Sequence, residues 1–216
     1  PHIVAELELV FSRAPELSYI DGELYNHELH ANFNKIVSLV KRTKPSSEDI
    51  ANSRKVIEYH VFDAYSESHA SETGTQRQER RSHALAGCRS IKLVPTQSVK
   101  SRDEIEDYMK HWIDAGYEGV MIRFANSPYA CKRTKTLLKY KHFQDAEFQL
   151  LDVTEGQGNS TGQAKSALLF LGIGKTFRAD IVGTREELRA YLASPPLNKA
   201  QTIRYQNLTP DGVPRF

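Results

Sequence analysis

The sequence predicts an α+β protein in two parts: antiparallel sheets flanked by helices, followed by a small β-barrel. Three observations predict it. Before residue 145, apolar residues recur at helical spacing in several segments, and β-branched or alternating runs separate them. After Gln144-Asp145 short alternating segments dominate, with a single helical one among them. The chain has 216 residues, of which 39% are hydrophobic and 26% charged, the composition of a globular protein with one large or two small domains.

The elements follow in order. Ile3, Leu7 and Val10 share a helical face and Pro15 follows, so residues 2–13 read as an amphipathic helix. Residues 18–25 read as a strand. A second helix is expected over 32–44, with Phe33, Ile36, Val37 and Val40 on one face and Pro45 as its stop. Residues 56–65 are apolar and β-branched enough for a buried strand. Residues 66–75 are small and polar and are expected to form a mobile loop. A charged helix over 76–85 and a strand over 90–95 come next. Ser101 and Glu104 have the spacing of a capping box. Ile105, Met109 and Trp112 then mark a buried stripe, and Gly116 ends that helix. Strands are expected at 118–124 and 136–142. Beyond residue 145, strands are expected at 148–153, 167–173, 176–182 and 201–207. A loop over 155–163 and a helix capped by Thr184 and Glu187 interrupt them. Short strands with one helix point to a small barrel such as an OB-fold.

Composition excludes several classes. Net charge is +2, so the chain as a whole is no polycation, and any basic surface has to come from clustering. Two cysteines, Cys88 and Cys131, are too few for a disulfide framework or a four-cysteine zinc site. No apolar run approaches the roughly 20 residues that span a bilayer. No signal peptide is visible, so a cytoplasmic location is expected. The chain begins at Pro1, and we expect it to be a piece of a longer protein.

Two segments carry paired like charges. Asp21-Gly22-Glu23-Leu24 puts two carboxylates on one face of a strand, and Leu138-Lys139-Tyr140-Lys141 puts two ammonium groups on one face of another. Burying such pairs is costly without opposite charge between them. A nucleotide with its metal ion supplies that: phosphates for the lysines, ribose hydroxyls and a cation for the acids. Each pair alone also fits a plainer reading, a solvated Asp-Gly turn for the first and the outer face of an edge strand for the second. Glu118-Gly119-Val120-Met121-Ile122-Arg123 adds a glutamate at the start of a strand, followed by a glycine that permits close backbone approach.

The order of these segments, with Val61-Phe62-Asp63 between the first and the others, resembles the ATP-dependent DNA ligases of the nucleotidyltransferase superfamily. The bacterial and bacteriophage type is the nearest in pattern. The run from Leu208 to Phe216 resembles the start of that family's sixth motif. The resemblance implies an ATP-grasp-like nucleotidyltransferase (adenylation) domain, incomplete, over 1–144. It also implies an OB-fold domain over 145–216, truncated at its C-terminus. It implies ATP and Mg²⁺ as cofactors and nicked double-stranded DNA as the partner of a monomer. By position, Glu23 would bond the ribose, Asp21 would organise the reactive lysine and the metal, and Phe62 would stack on adenine. Glu118 would hold the metal. Lys139 and Lys141 would neutralise phosphate charge during transfer. Arg123 and Arg215 would complete the nucleotide contacts.

One departure is plain. The family's first motif, Lys-x-Asp-Gly, supplies the lysine that carries AMP, and it is missing: Tyr19 stands two before Asp21 and Thr209 two before Asp211. Ser12-Arg13 is a weak match to the motif that normally follows. The simplest expectation is that the chain starts downstream of both. Taken literally, the polypeptide does not make its own adenylate. The other readings are a non-catalytic ligase-derived nucleic-acid-binding module, or an RNA ligase or capping-type nucleotidyltransferase with the same motifs.

Two acid-free windows suggest where DNA lies. Residues 29–47 hold Lys35, Lys41, Arg42 and Lys44; residues 119–144 hold Lys132, Arg133 and Lys135 among their cations. Either alone reads as a solvated face, but together they predict a basic groove along a polyanion.

Overall fold

The computed structural model describes residues 1–30 and 32–215. The side chain of Phe33, expected on the second helix's apolar face, and Phe216, the last residue of the sixth-motif run, lie outside the described residues. The chain divides into two compact units, Pro1–Tyr140 and Lys141–Phe216.

In the first unit, α1 (His2–Arg13) leads into β1 (Tyr19–Tyr25), as its apolar spacing predicts. Asn26 then caps a 3₁₀ turn at His27–Leu29. The second predicted helix is shorter than expected, and a helix that was not expected follows it. α2 (Phe33–Val40) starts at the Asn32 cap, and α3 (Ser47–Val56) follows behind a complete Ser46–Asp49 capping box. Pro45 thus separates two helices. β2 (Glu58–Tyr65) begins later than expected because Val56 belongs to α3.

The segment expected to be mobile is folded. Ser66 is buried, and its hydroxyl bonds Ser68 Oγ at 2.9 Å and His69 Nδ1 at 3.1 Å. Thr73 and Gln76 box the start of α4 (Gly74–Ala84). β3 (Ile91–Leu93), α5 (Arg102–Asp114), β4 (Gly119–Arg123) and β5 (Leu137–Lys141) complete the unit. At α5 the predicted box is half made. Ser101 Oγ accepts from the Glu104 N–H at 3.2 Å, but Glu104 reaches the N–H of Lys100, at 2.9 Å.

The main sheet of this unit has the order β1-β2-β3 and is mixed, not antiparallel throughout: β1–β2 is antiparallel and β2–β3 parallel. The parallel pairing follows from α4, which carries the chain back across the sheet between β2 and β3. Val10, Ala14, Leu17, Val61, Ala64, Leu85 and Ile91 form the core between α1, α4 and this sheet. Ile3, Ile36 and Ile57 form a second cluster under α2. β4 and β5 make a separate two-stranded sheet.

The second unit is a sheet of order β8-β7-β6-β9. Its strands are β6 (Gln144–Glu155), β7 (Ala164–Gly172), β8 (Lys175–Asp180) and β9 (Ala200–Tyr205). α6 (Arg185–Ala193) carries the predicted Thr184–Glu187 box, with bonds of 2.7 and 3.3 Å. Two short strands, β10 (Asn207–Leu208) and β11 (Pro214–Arg215), pair with each other. The expected closed barrel does not form among the described residues: β8 and β9 are the edges of an open sheet. The long β6 explains the sheet's shape. Its first half pairs with β9 and its second half with β7, with a register shift between Leu150 and Asp152 where the partner changes. Leu150, Ala167, Leu169, Phe177 and Ala179 are the core.

Candidate active site

The site is built on the pairing of β1 with β2. Their register shifts between Asp21 and Gly22: Asp21 faces Asp63 and Gly22 faces Val61, so Phe62 has no counterpart. A bulge of this kind re-aims side chains. Phe62 is 39% exposed between Val61 and Asp63, at 0% and 3%. Gly22 is required for close approach. A Cβ there would lie 2.6 Å from the His60 carbonyl oxygen and 2.7 Å from the Tyr59 ring. That ring crosses the glycine and donates its hydroxyl to the Ile20 carbonyl at 2.8 Å.

Around the bulge lies a polar cluster that sequence reading missed. Arg77, on α4, grips Asp63 with Nε at 3.0 Å and Nη2 at 3.3 Å, while Nη1 donates to the carbonyls of Glu72 and Ser127. Arg123 pairs with Asp63 as well and donates to the Phe62 carbonyl at 3.3 Å. Arg81 donates to the same carbonyl. The signal was the spacing of Arg77, Arg81 and Leu85, which put two arginines and a leucine on one buried helix face. Arg123 was assigned to the nucleotide; in the structure its guanidinium is committed to Asp63 and Phe62. Burial pushes its pKa down, against the pull of Asp21 and Tyr129.

Asp21 accepts a hydrogen bond from the Tyr129 hydroxyl. Burial, and then that bond, hold the tyrosine well above its ordinary range. Asp21 therefore sits with a phenol donor and a nearby guanidinium, neighbours that compete with its expected role as a metal ligand. Glu23 and Glu118 both lie near Tyr25, whose hydroxyl is pushed up to about 12 by burial first and by Tyr117, Glu23 and Glu118 after it.

A stack of rings ties these segments together. His27 lies 4.4 Å from Tyr117 between ring centroids, accepts or donates at Nδ1 to Tyr25 Oη (3.0 Å), and donates Nε2–H to the Ala115 carbonyl at 2.9 Å. Trp112, expected in the core, is half-buried and meets Tyr117 edge-on at 5.2 Å. The turn between α5 and β4, held from beneath the His30 ring at Gly116 (φ +90°), brings Glu118 to the start of β4.

Lys139 and Lys141 lie on β5, the strand beside β4. Lys139 is exposed; Lys141 donates to Gln206 Oε1 at 2.6 Å. Arg215 is exposed on β11. Lys35, Lys41 and Lys44 are exposed in and after α2. Arg42 pairs with Asp49 of α3 at 2.5 Å, so an acid from outside its window offsets that charge. Lys132, Arg133 and Lys135 are exposed in the connection between β4 and β5. No group of three metal-capable side chains occurs among the described residues. Mg²⁺ needs none, since it binds through one or two carboxylates plus substrate phosphates, and the exposed Glu118 fits that mode. A groove of about 500 Å³ beside α1 and α4, lined by Arg13, Glu16, Glu72 and His83 among others, contains none of the predicted site residues.

The fold is that of solved DNA ligases. The chain superposes on a solved Lig E DNA ligase with a TM-score of 0.74 at 24% identity, over 91% of this chain and 73% of that one. A structure named Pmar-Lig_Pre gives 0.77 at 23%, over 100% of this chain and 53% of that one. The family model for the ATP dependent DNA ligase domain matches residues 1–141, and the chain belongs to that family. A DNA ligase of African swine fever virus (isolate Pig/Kenya/KEN-50/1950) is 29% identical over 163 residues, 72% of this chain. The chain spans only 36% of that relative's length. The DNA ligase of Haemophilus influenzae is 25% identical over 200 residues, 91% of this chain and 69% of its own. No helix is long and apolar enough to cross a membrane among the described residues.

Proposed function

We propose that this chain is the nucleotide- and DNA-handling part of an ATP-dependent DNA ligase, which seals nicks in duplex DNA through an enzyme-adenylate and then a DNA-adenylate. The family match over 1–141 carries the reading. Residues 1–144 belong to its adenylation domain and 145–216 to its OB-fold domain; the order of strands around α6 supports the latter. Phe62 stacks on adenine, and Glu23 bonds the ribose. Lys139 and Lys141 offset phosphate charge. Glu118 would hold Mg²⁺, which would supply electrostatic stabilisation of phosphate charge when bound. In the last step the 3′-hydroxyl oxygen bonds the 5′-phosphorus, the pyrophosphate bond breaks, AMP leaves and the hydroxyl proton goes to solvent. Lys35, Lys41, Arg42 and Lys44, and Lys132, Arg133 and Lys135 between β4 and β5, contact DNA phosphates without reading sequence. In this reading the enzyme is a cytoplasmic monomer.

One observation favours a second reading, a non-catalytic DNA-binding module: Lys-x-Asp-Gly occurs nowhere in the 216 residues. A nick whose 5′-phosphate already carries AMP separates the two, because closing it needs no nucleophilic lysine. With Mg²⁺ and no ATP, this chain should seal that nick, while α-labelled ATP leaves the protein unlabelled. Lys139→Ala should slow sealing by about 100-fold. DNA that is bound but never closed would favour the module, and preferential closure of an RNA nick would favour an RNA ligase.

A further inference from the structure

The bulge leaves Phe62 without a partner on β1, and its carbonyl is the one that carries two guanidiniums, from Arg81 and Arg123. Arg81 is 4% exposed. Its Nη2 donates to Thr96 Oγ1 at 3.0 Å, and its Nε has no hydrogen-bond partner among the described residues. No carboxylate pairs with it there either. Burial and the neighbouring Arg77 both push its pKa down. A cation buried on such terms is costly. One turn on, the same helix face carries Leu85 in the apolar core. Stability alone therefore gives no reason for arginine at this place. Besides bonding Thr96, the guanidinium holds the carbonyl of Phe62 from the buried side, as no aliphatic side chain does, while the ring of that residue stands exposed.

We propose that Arg81 is a positioning residue for base recognition, holding the Phe62 carbonyl so that the exposed ring meets a purine face-on and favours it over a pyrimidine. The inference rests on the reading of Phe62 as the adenine platform given above. Stacking gains with overlapped area, so a tilted ring loses more with the larger base.

Phe62→Trp in this chain supplies a fluorescence reporter, with the unsubstituted chain and its Trp112 as background. ATP and CTP are the titrants. The reporter should be quenched by both, at lower concentration by ATP. Adding Arg81→Met should weaken ATP by about tenfold and leave CTP nearly unchanged. Its melting temperature should hold or rise, because a poorly paired buried cation has gone. Arg81→Lys should restore part of the preference. Thr96→Val, at an exposed residue, should erode it in the same direction. An ATP-to-CTP ratio that stays constant across these variants overturns the proposal; if Arg81→Met does not fold, Arg81→Lys and Thr96→Val decide it alone. A folded reporter that neither nucleotide quenches sinks the platform reading itself, and this inference with it.

Discussion

Gly22 and Tyr59 show how closely single residues are specified around the bulge. The tyrosine ring lies where any side chain at 22 would go, and its hydroxyl ties β2 back to the Ile20 carbonyl. Gly22→Ala should cost about 1–3 kcal/mol in urea unfolding, because neither a backbone carbonyl nor a hydrogen-bonded ring moves aside cheaply. Were its unfolding midpoint unchanged, the crowding at His60 would have to be relieved by a backbone shift. That Asp21 and Glu23 lie on one strand was legible in the sequence, because a local strand pattern needs no tertiary knowledge. Asp63 was visible only as a neighbour of Phe62. Its role as the anchor of Arg77 and Arg123 comes from contacts 14 and more residues away, which no local pattern encodes.

Among the elements, those with an apolar stripe were legible, α4 was legible as a charged helix, and α3 was not. α1 and α5 carry theirs openly. α3 has only Ile50, Ala51 and Val56 among its ten residues, so periodicity passes over it, although the Ser46–Asp49 box stood in the sequence as its start signal. α4 buries arginines and so reads as a solvated helix. Alternation revealed the strands of the second unit but not whether their sheet closes. The β4–β5 connection makes a prediction of its own. If Lys132, Arg133 and Lys135 touch DNA phosphates, changing all three to alanine should flatten the slope of log affinity against log salt by about 0.9 per lost contact. A gel-shift series in potassium chloride reads this, and parallel slopes for parent and variant would remove the connection from the interface.

At the scale of the molecule, each unit has its own core, so residues 1–140 and 141–216 made separately should each unfold cooperatively in differential scanning calorimetry. Failure of either to show a transition would mean that its core is insufficient alone. Acid should unfold the chain from a predictable side. Asp49, bonded by the Ser46 N–H and then by Arg42, is held at about 2. Glu6 is also lowered: burial pushes it up, but the N–H groups of Ser90 and Arg89 outweigh that. These carboxylates take up protons in the unfolded chain before they do in the folded one. Their stabilisation is complete above the ordinary carboxylate range and is lost as pH falls below about 4. Glu6→Gln should therefore make the melting temperature fall less steeply as pH drops below about 4.

The two cysteines differ in a way that experiment can use. Cys88 is half-buried beside Glu6, and its thiol is pushed up by burial and by that carboxylate, which slows its reaction with electrophiles. Cys131 is exposed, immediately before Lys132 and Arg133. A maleimide dye at neutral pH should therefore attach at position 131 in the natural sequence, with no engineering. Its polarisation would then report DNA arriving at the adjoining basic loop.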